Sequence, residues 1–362
     1  MRRYLSFRDF DWPLLGMVML LCTISVFEIY SATLHTKYAG FHIKQLYWIS
    51  GGIVAMFIMS KIDYHKLLDI VWYLYGFFLL GLVGVKLFGH KALGGKRWIK
   101  MGPISFQPSE WFKLVLIVLM ALYFANLGGR RLTWPDIFKA IALVGLPMLL
   151  VLMQPDLGTA LTYTPILLAG LFLGGINWKQ AAILATVGLV AIVGVWTSGK
   201  VLKPYQKARL TSFMDPDNDP KGSGYQVKQS LIAVGSGGIF GRGLTEGIQK
   251  LFFLPEPHTD FIFANICEEL GLIGALCVVA AFCIVGYRGL RAAFLSTDPF
   301  ARFLAFGLTT AILVQAFFNM SVVIALLPTK GIPLPFISSG GTSVFVTLAC
   351  MGVLLNVTRE ID

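Results

Sequence analysis

Apolar runs of roughly 18 to 25 residues recur along this 362-residue sequence, each about long enough to cross a hydrocarbon core of about 30 Å. No other feature constrains the fold as much. Inside lipid every backbone N–H and C=O must find a partner within the chain, which leaves helices or a closed barrel. The runs lack the period-two alternation of barrel strands and read as helices over 13–34, 43–60, 67–88, 109–127, 137–153, 157–175, 178–197, 262–286, 301–326 and 339–357. The expected architecture is an all-α polytopic membrane protein of about ten transmembrane helices, residues 1–362 forming one membrane domain. The first run starts near Pro13 and passes any h-region without a small-residue cleavage site, so it reads as a first membrane helix. With 56% hydrophobic and 14% charged residues, an ordinary soluble globule is excluded. Cys22, Cys267, Cys277, Cys283 and Cys350 lie mostly inside apolar runs without CxxC spacing, which supports neither a disulfide framework nor a zinc site.

Lysine and arginine placement orients the bundle. Arg2, Arg3 and Arg8 precede the first span, Lys61 and Lys66 follow the second, Arg130 and Arg131 the fourth, and Lys179 the sixth. Arg288, Arg291 and Arg302 flank the eighth and ninth, and Arg359 follows the tenth. If the spans alternate, all of these fall on one side, so both termini are expected in the cytoplasm and the chain in the inner membrane. The formal net charge of +11 fits contact with anionic lipid headgroups better than nucleic acid. Two outward segments break this pattern. Segment 86–108 carries Lys86, Lys91, Lys96, Arg97 and Lys100 with no acid before Glu110, and segment 198–261, between the seventh and eighth helices, is long and rich in Gly and Pro. An outward cationic patch beside the bilayer suits a phosphate or pyrophosphate headgroup; a merely solvated loop is the plain alternative.

Four stretches carry the candidate chemistry. In Gln107-Pro108-Ser109-Glu110-Trp111-Phe112-Lys113, Pro108 and Ser109 start a helix that sets Glu110 and Lys113 on one face, either as a brace or facing a cavity. In Gln154-Pro155-Asp156-Leu157-Gly158-Thr159, Asp156 is well placed to cap the next helix. The long segment holds Gly224-Tyr225-Gln226, Gly235-Ser236-Gly237-Gly238, Gly241-Arg242-Gly243 and Leu254-Pro255-Glu256-Pro257-His258-Thr259-Asp260-Phe261; its glycines permit close backbone approach to a ligand, and 227–234 could lie re-entrant against the bundle. Asp260 stands at the lip of an apolar helix, where it could cap that helix or act as a partly desolvated general base. Glu268 and Glu269 further in could partner a buried cation. Last, Pro328-Thr329-Lys330-Gly331-Ile332-Pro333-Leu334-Pro335 through Ser338-Ser339-Gly340-Gly341 makes a stiff wall or a simple connector.

Together these stretches resemble the SEDS family of polytopic peptidoglycan glycosyltransferases, over nearly the whole chain. The resemblance rests on Lys96-Arg97-Trp98, Phe106-Gln107-Pro108-Ser109-Glu110, Gln154 to Ala160, Gly224 to Gly243, and Leu254-Pro255-Glu256 with His258-Thr259-Asp260-Phe261, in the family's order. Phe10-Asp11-Trp12 and Ile29-Tyr30-Ser31-Ala32-Thr33 look more like the RodA branch than the FtsW branch. The resemblance implies polymerisation of the lipid-linked disaccharide, lipid II, into β-1,4 glycan strands outside the cytoplasmic membrane, for elongation and shape, with a class B penicillin-binding protein as partner. It places the family's essential aspartate at Asp260 and its acidic–basic pair at Glu110 and Lys113. Side chains expected to bind substrate are Lys96, Arg97, Gln107, Ser109, Gln154, Asp156, Tyr225, Gln226, Arg242, His258, Thr259, Lys330 and Ser338. No metal-ligand set is legible; a divalent cation, Mg2+ or Mn2+, could assist the pyrophosphate without a dedicated cage. A lipid II flippase and a non-catalytic cell-wall scaffold remain the alternatives.

Overall fold

A computed structural model describes residues 10–34, 36, 38–92, 95–101, 104–198, 209, 211–215, 219, 222–251, 253–329 and 331–359. Each expected span coincides with a helix: α1 (Trp12–Thr33), α2 (Phe41–Lys61), α3 (Lys66–Phe88), α4 (Pro108–Ala125), α5 (Trp134–Met153), α6 (Leu157–Leu173), α7 (Trp178–Ser198), α9 (Ile262–Leu295), α10 (Pro299–Val323) and α11 (Gly341–Arg359). Eight described helices are long and apolar enough to cross a membrane, while Leu157–Leu173 and Trp178–Ala191 are shorter apolar helices. The chain is a polytopic all-α membrane protein.

Several helix starts follow from local chemistry. Asp11 accepts from the Leu14 amide at 3.1 Å, Asp298 from the Phe300 and Ala301 amides, and Thr133 with Asp136 forms a capping box. Pro13, Pro108, Pro135 and Pro299 occupy first-turn positions, where a missing N–H costs nothing. α4 and α11 are the most enclosed helices; α4 packs on α3, α6 and α10, and α11 on α2.

Two features were not legible as such. Segment 86–108 is not a plain loop but a three-stranded antiparallel sheet of β1 (His90–Ala92), β2 (Gly95–Met101) and β3 (Ile104–Phe106), pairing Ile99 with Phe106. Segment 198–261 contains α8 (Ser223–Ser236), which packs against α9 and α10, as the expected re-entrant turn would.

α9 itself is broken at Gly271 (φ 67°, ψ −163°). The glycine-rich backbone of the long segment fills the break: the Arg242 and Gly243 amides donate to the Glu268 and Glu269 carbonyls at 3.0 Å, and Leu272 and Ile273 donate to Gly238 and Ile239. A Cβ on Gly241 would sit 2.1 Å from the Glu269 carbonyl oxygen, so glycine is needed for this backbone-to-backbone contact. The close approach made by Gly241 is to α9. Beneath it the buried cation expected for the acidic pair is Lys250, whose Nζ lies 2.5 Å from Glu269 Oε1 and 2.6 Å from Ser31 Oγ. Glu268 accepts from the Ile248 amide at 2.9 Å and the Gln249 amide at 3.1 Å.

Candidate functional site

The starts of α4, α6, α9 and α11 converge at one end of the bundle and enclose a cavity of about 440 Å³. Its walls come from β2 (Arg97, Trp98), the approach to α4 (Gln107, Glu110), the start of α6 (Asp156, Thr159), the segment before α9 (Pro255, Glu256, Thr259, Asp260, Phe261), α8 (Gln226) and the strap between α10 and α11 (Thr329, Gly331, Pro333, Ser339, Gly340). Arg209 and Ser343 complete it. Residues more than two hundred positions apart thus share one chamber because alternate helices begin at the same end.

Asp260 is half-buried in this wall. Burial pushes its carboxyl up to about 6, Glu256 adds in the same direction, and Arg209 and Arg97 oppose. It does not cap α9: Phe261 holds the cap position, with no side-chain cap bond there. The strap lies tight against it, since a Cβ on Gly331 would fall 2.9 Å from Asp260 Oδ2. Glu256 and Phe336, in the two segments that flank Asp260, hold left-handed backbone at φ 50° and 64°, a conformation that non-glycine residues adopt at a cost.

Asp156 behaves differently. Its Oδ1 accepts from the Thr159 amide at 3.2 Å, capping α6, and its Oδ2 accepts from Thr159 Oγ1 at 2.9 Å and Gln107 Nε2 at 3.2 Å. Arg97 lies 3.6 Å from it and also donates to the Pro155 carbonyl. Burial pushes the Asp156 carboxyl up, while Arg97 and the Thr159 bonds pull it down.

The Glu110–Lys113 pair closes at 2.7 Å, both side chains buried. Glu110 reaches the cavity; Lys113 stands behind it, donating to Gln315 Oε1 at 3.0 Å. Of the other expected binding residues, Arg97, Gln107, Gln226 and Thr259 also line the cavity. Ser109 is buried beside Gln107 Nε2, at 3.2 Å, and its carbonyl accepts from Tyr163. Gln154 donates to the Leu82 carbonyl at 2.8 Å, tying α5 to α3. His258 is buried against the rings of Tyr38 and Phe41, and burial pushes its pKa down to about 4, leaving a neutral imidazole near pH 7. Ser338 Oγ donates to the Thr259 carbonyl and accepts from the Leu334 amide, both at 2.7 Å, fastening the strap to the Asp260 segment. Tyr225 is on α8 outside the cavity lining, and Arg242 lies 3.9 Å from Glu268 at the α9 break. The Lys96 side chain and Lys330 lie outside the described residues.

Sequence reasoning passed over Arg209 in the wall, and Gln315 and Asn319 on α10, whereas Thr329 belongs to the stretch expected as a wall or a connector. The amides carried a readable signal: two polar residues four apart in an otherwise apolar run share one helix face.

The family model for FtsW, RodA and SpoVE, described as cell cycle protein, matches residues 11–362. Among similar curated proteins, "Probable peptidoglycan glycosyltransferase FtsW" of Geobacter sp. (strain M18) is 38% identical over 97% of both chains. "Stage V sporulation protein E" of Bacillus subtilis (strain 168) is 38% identical over 96% of this chain and 97% of its own. Among solved structures, a chain from "Structural coordination of polymerization and crosslinking by a peptidoglycan synthase complex" superposes with a TM-score of 0.83 at 26% identity, covering 97% of this chain and 98% of that one. The Thermus thermophilus rod shape determining protein RodA superposes with a TM-score of 0.72 at 25% identity over 97% of each chain.

Proposed function

The chain belongs to the FtsW, RodA and SpoVE cell cycle family, the SEDS family, and we propose from that membership and the cavity that it is a peptidoglycan glycosyltransferase polymerising lipid II. The acceptor's sugar hydroxyl attacks the anomeric carbon of a lipid-pyrophosphate-linked glycan. An α-linked pyrophosphate giving a β-1,4 bond requires inversion, so one in-line displacement suffices. Asp260 takes the hydroxyl proton, and undecaprenyl pyrophosphate leaves with the bonding electrons. The observation that carries this reading is a carboxyl spared from helix capping, raised to about 6, and set in the same wall as cations. A base with that pKa is mostly ionised at neutral pH yet basic enough to accept a proton in the transition state.

Arg97 and Arg209, both in the lining, stabilise the departing pyrophosphate, and the helix starts gathered there add partial positive charge. Lys113 acts from behind Glu110, holding that carboxylate in place rather than meeting phosphate itself. Mg2+ or Mn2+ enters this proposal only as a companion of the substrate's pyrophosphate. Among the described residues no group of three or more His, Cys, Asp or Glu side chains could hold a metal ion, and no step is routed through one.

The site faces outward and both termini face the cytoplasm, as Lys and Arg placement argues. The partner is a class B penicillin-binding protein, in keeping with the polymerising and crosslinking complex that one neighbour belongs to. An elongation role is the finer part of the proposal and rests on Phe10-Asp11-Trp12 and Ile29 to Thr33. Depletion in a rod-shaped host is then expected to round the cells; filaments with blocked septa would assign the chain to division instead. The activity itself is tested by reconstituting the chain with its transpeptidase and presenting lipid II on the outer side only. Glycan polymer without any transport step is expected. Transport of lipid II with no polymer would replace the reading by a flippase, and neither activity by a scaffold.

A further inference from the structure

α10 is a membrane helix, yet it buries two amides one turn apart, Gln315 and Asn319, at 6% and 1% exposure. Burying an amide at membrane depth is costly unless its hydrogen bonds are made, so where those bonds go is informative. Gln315 Oε1 accepts from Lys113 Nζ at 3.0 Å, and its Nε2 donates to the Pro333 carbonyl at 2.9 Å. Asn319 Nδ2 donates to two carbonyls at 2.8 Å each, Ile332 on the strap and Asp260 itself. Two successive strap carbonyls are therefore gripped by two successive rungs of one helix. Each rung's other bond reaches a different part of the site: Gln315 the Glu110–Lys113 pair, Asn319 the Asp260 segment.

The strap has no slack. A Cβ on Gly158 would meet the Gly331 carbonyl oxygen at 2.6 Å, and Gly331 abuts the Asp260 carboxyl on its other side. Ser338 pins the far end of the strap to Thr259, one residue before Asp260. We propose that Gln315 and Asn319 are positioning residues that set the spacing between Asp260 and the Glu110–Lys113 pair through the 331–334 strap. This inference rests on the function proposed above. The side-chain chemistry is specific: bridging two carbonyls from one atom takes an NH2 group, which neither a carboxylate nor an aliphatic chain of the same size provides.

The test uses the full chain with its transpeptidase polymerising lipid II, comparing wild type with Asn319→Leu, Gln315→Met and Gln315→Glu. Asn319→Leu and Gln315→Met are expected to lower kcat about 10- to 100-fold, since misplacement of about 1 Å costs that much. KM for lipid II should stay within about twofold, because the substrate-touching groups remain. Gln315→Glu keeps the acceptor for Lys113 but turns a carboxylate oxygen toward the Pro333 carbonyl, so its kcat falls at least as far as that of Gln315→Met. In Asn319→Leu the acid limb of the pH–rate profile moves to lower pH, because a loosened Asp260 segment admits water. A residue that merely glued helices together would move neither the kcat-against-KM split nor the acid limb. Asn319→Ala removes the same NH2 group without adding leucine's bulk and carries the test if Asn319→Leu does not fold. Wild-type kcat and an unmoved acid limb in the folded variants would overturn the inference. Asp260→Asn run alongside separates the two failures: if it is active, the base assignment has failed; if it is inactive while the amide variants behave as wild type, only the positioning claim has.

Discussion

Asp156 and Asp260 look alike in sequence. Each precedes an apolar helix, each follows a proline-containing turn, and each lines the same cavity. Their surroundings diverge. Asp156 spends both oxygens on the Thr159 amide, the Thr159 hydroxyl and Gln107, and holds Arg97 at 3.6 Å. Asp260 leaves the cap position of α9 to Phe261 and faces the cavity, with Gly331 of the strap set close beside its carboxyl. One carboxylate is committed to building the wall; the other is left able to take a proton. Local sequence cannot tell them apart, because the difference lies in distant partners: Gln107 and Arg97 for Asp156, the strap and α10 for Asp260.

The same substitution made at both positions breaks this comparison most sharply. Asp260→Asn should lower polymerisation about 10²- to 10⁴-fold, the usual contribution of a placed base. Asp156→Asn, which still accepts at the cap, should stay within several-fold of wild type by the near-equal capping of Asn and Asp. Equal losses at the two sites, read as glycan formed per minute, would erase the distinction. Next in size is Gly331→Ala. Its Cβ would lie 2.9 Å from Asp260 Oδ2, and turnover should drop about 10- to 100-fold while the melting temperature of the purified protein holds.

The pH dependence is smaller but carries a sign. With the Asp260 carboxyl raised to about 6, the ionised base is present above that pH and lost as pH falls through it. kcat/KM should therefore decline about tenfold per pH unit below the limb. A limb near the ordinary carboxylate range would place the base elsewhere. Last comes Asp156→Ala, which removes the α6 cap, worth about 1 kcal/mol, together with the Gln107 bond and the Arg97 pair, and shows chiefly as a lower melting temperature.

The membrane helices were legible because lipid dictates them: a backbone that must satisfy itself over about 30 Å leaves a long apolar run. The cavity was half legible. Gln107, Glu110, Asp156, Gln226, Thr259 and Asp260 stand out as polar groups near helix starts and Arg97 in a basic outer segment, and they meet there because alternate helices start at the same end. What stayed hidden depends on distance along the chain. The partner of Glu269 is Lys250, brought in by a loop whose glycines fit the break at Gly271. The sheet at 90–106 hid behind its charges, which read as a cationic patch on an outer loop rather than as paired strands. His258, expected at the substrate, is enclosed by Tyr38 of the α1–α2 connection and Phe41 at the start of α2.

The central claim is best tested by isolating bond formation from binding and release. Asp260→Asn is mixed with saturating lipid II in a single turnover, and the appearance of the first glycosidic bond is timed beside lipid binding. Lipid held as tightly as by wild type, with bond formation slowed about 10²- to 10⁴-fold, is the predicted result. Bond formation at the wild-type rate would contradict it.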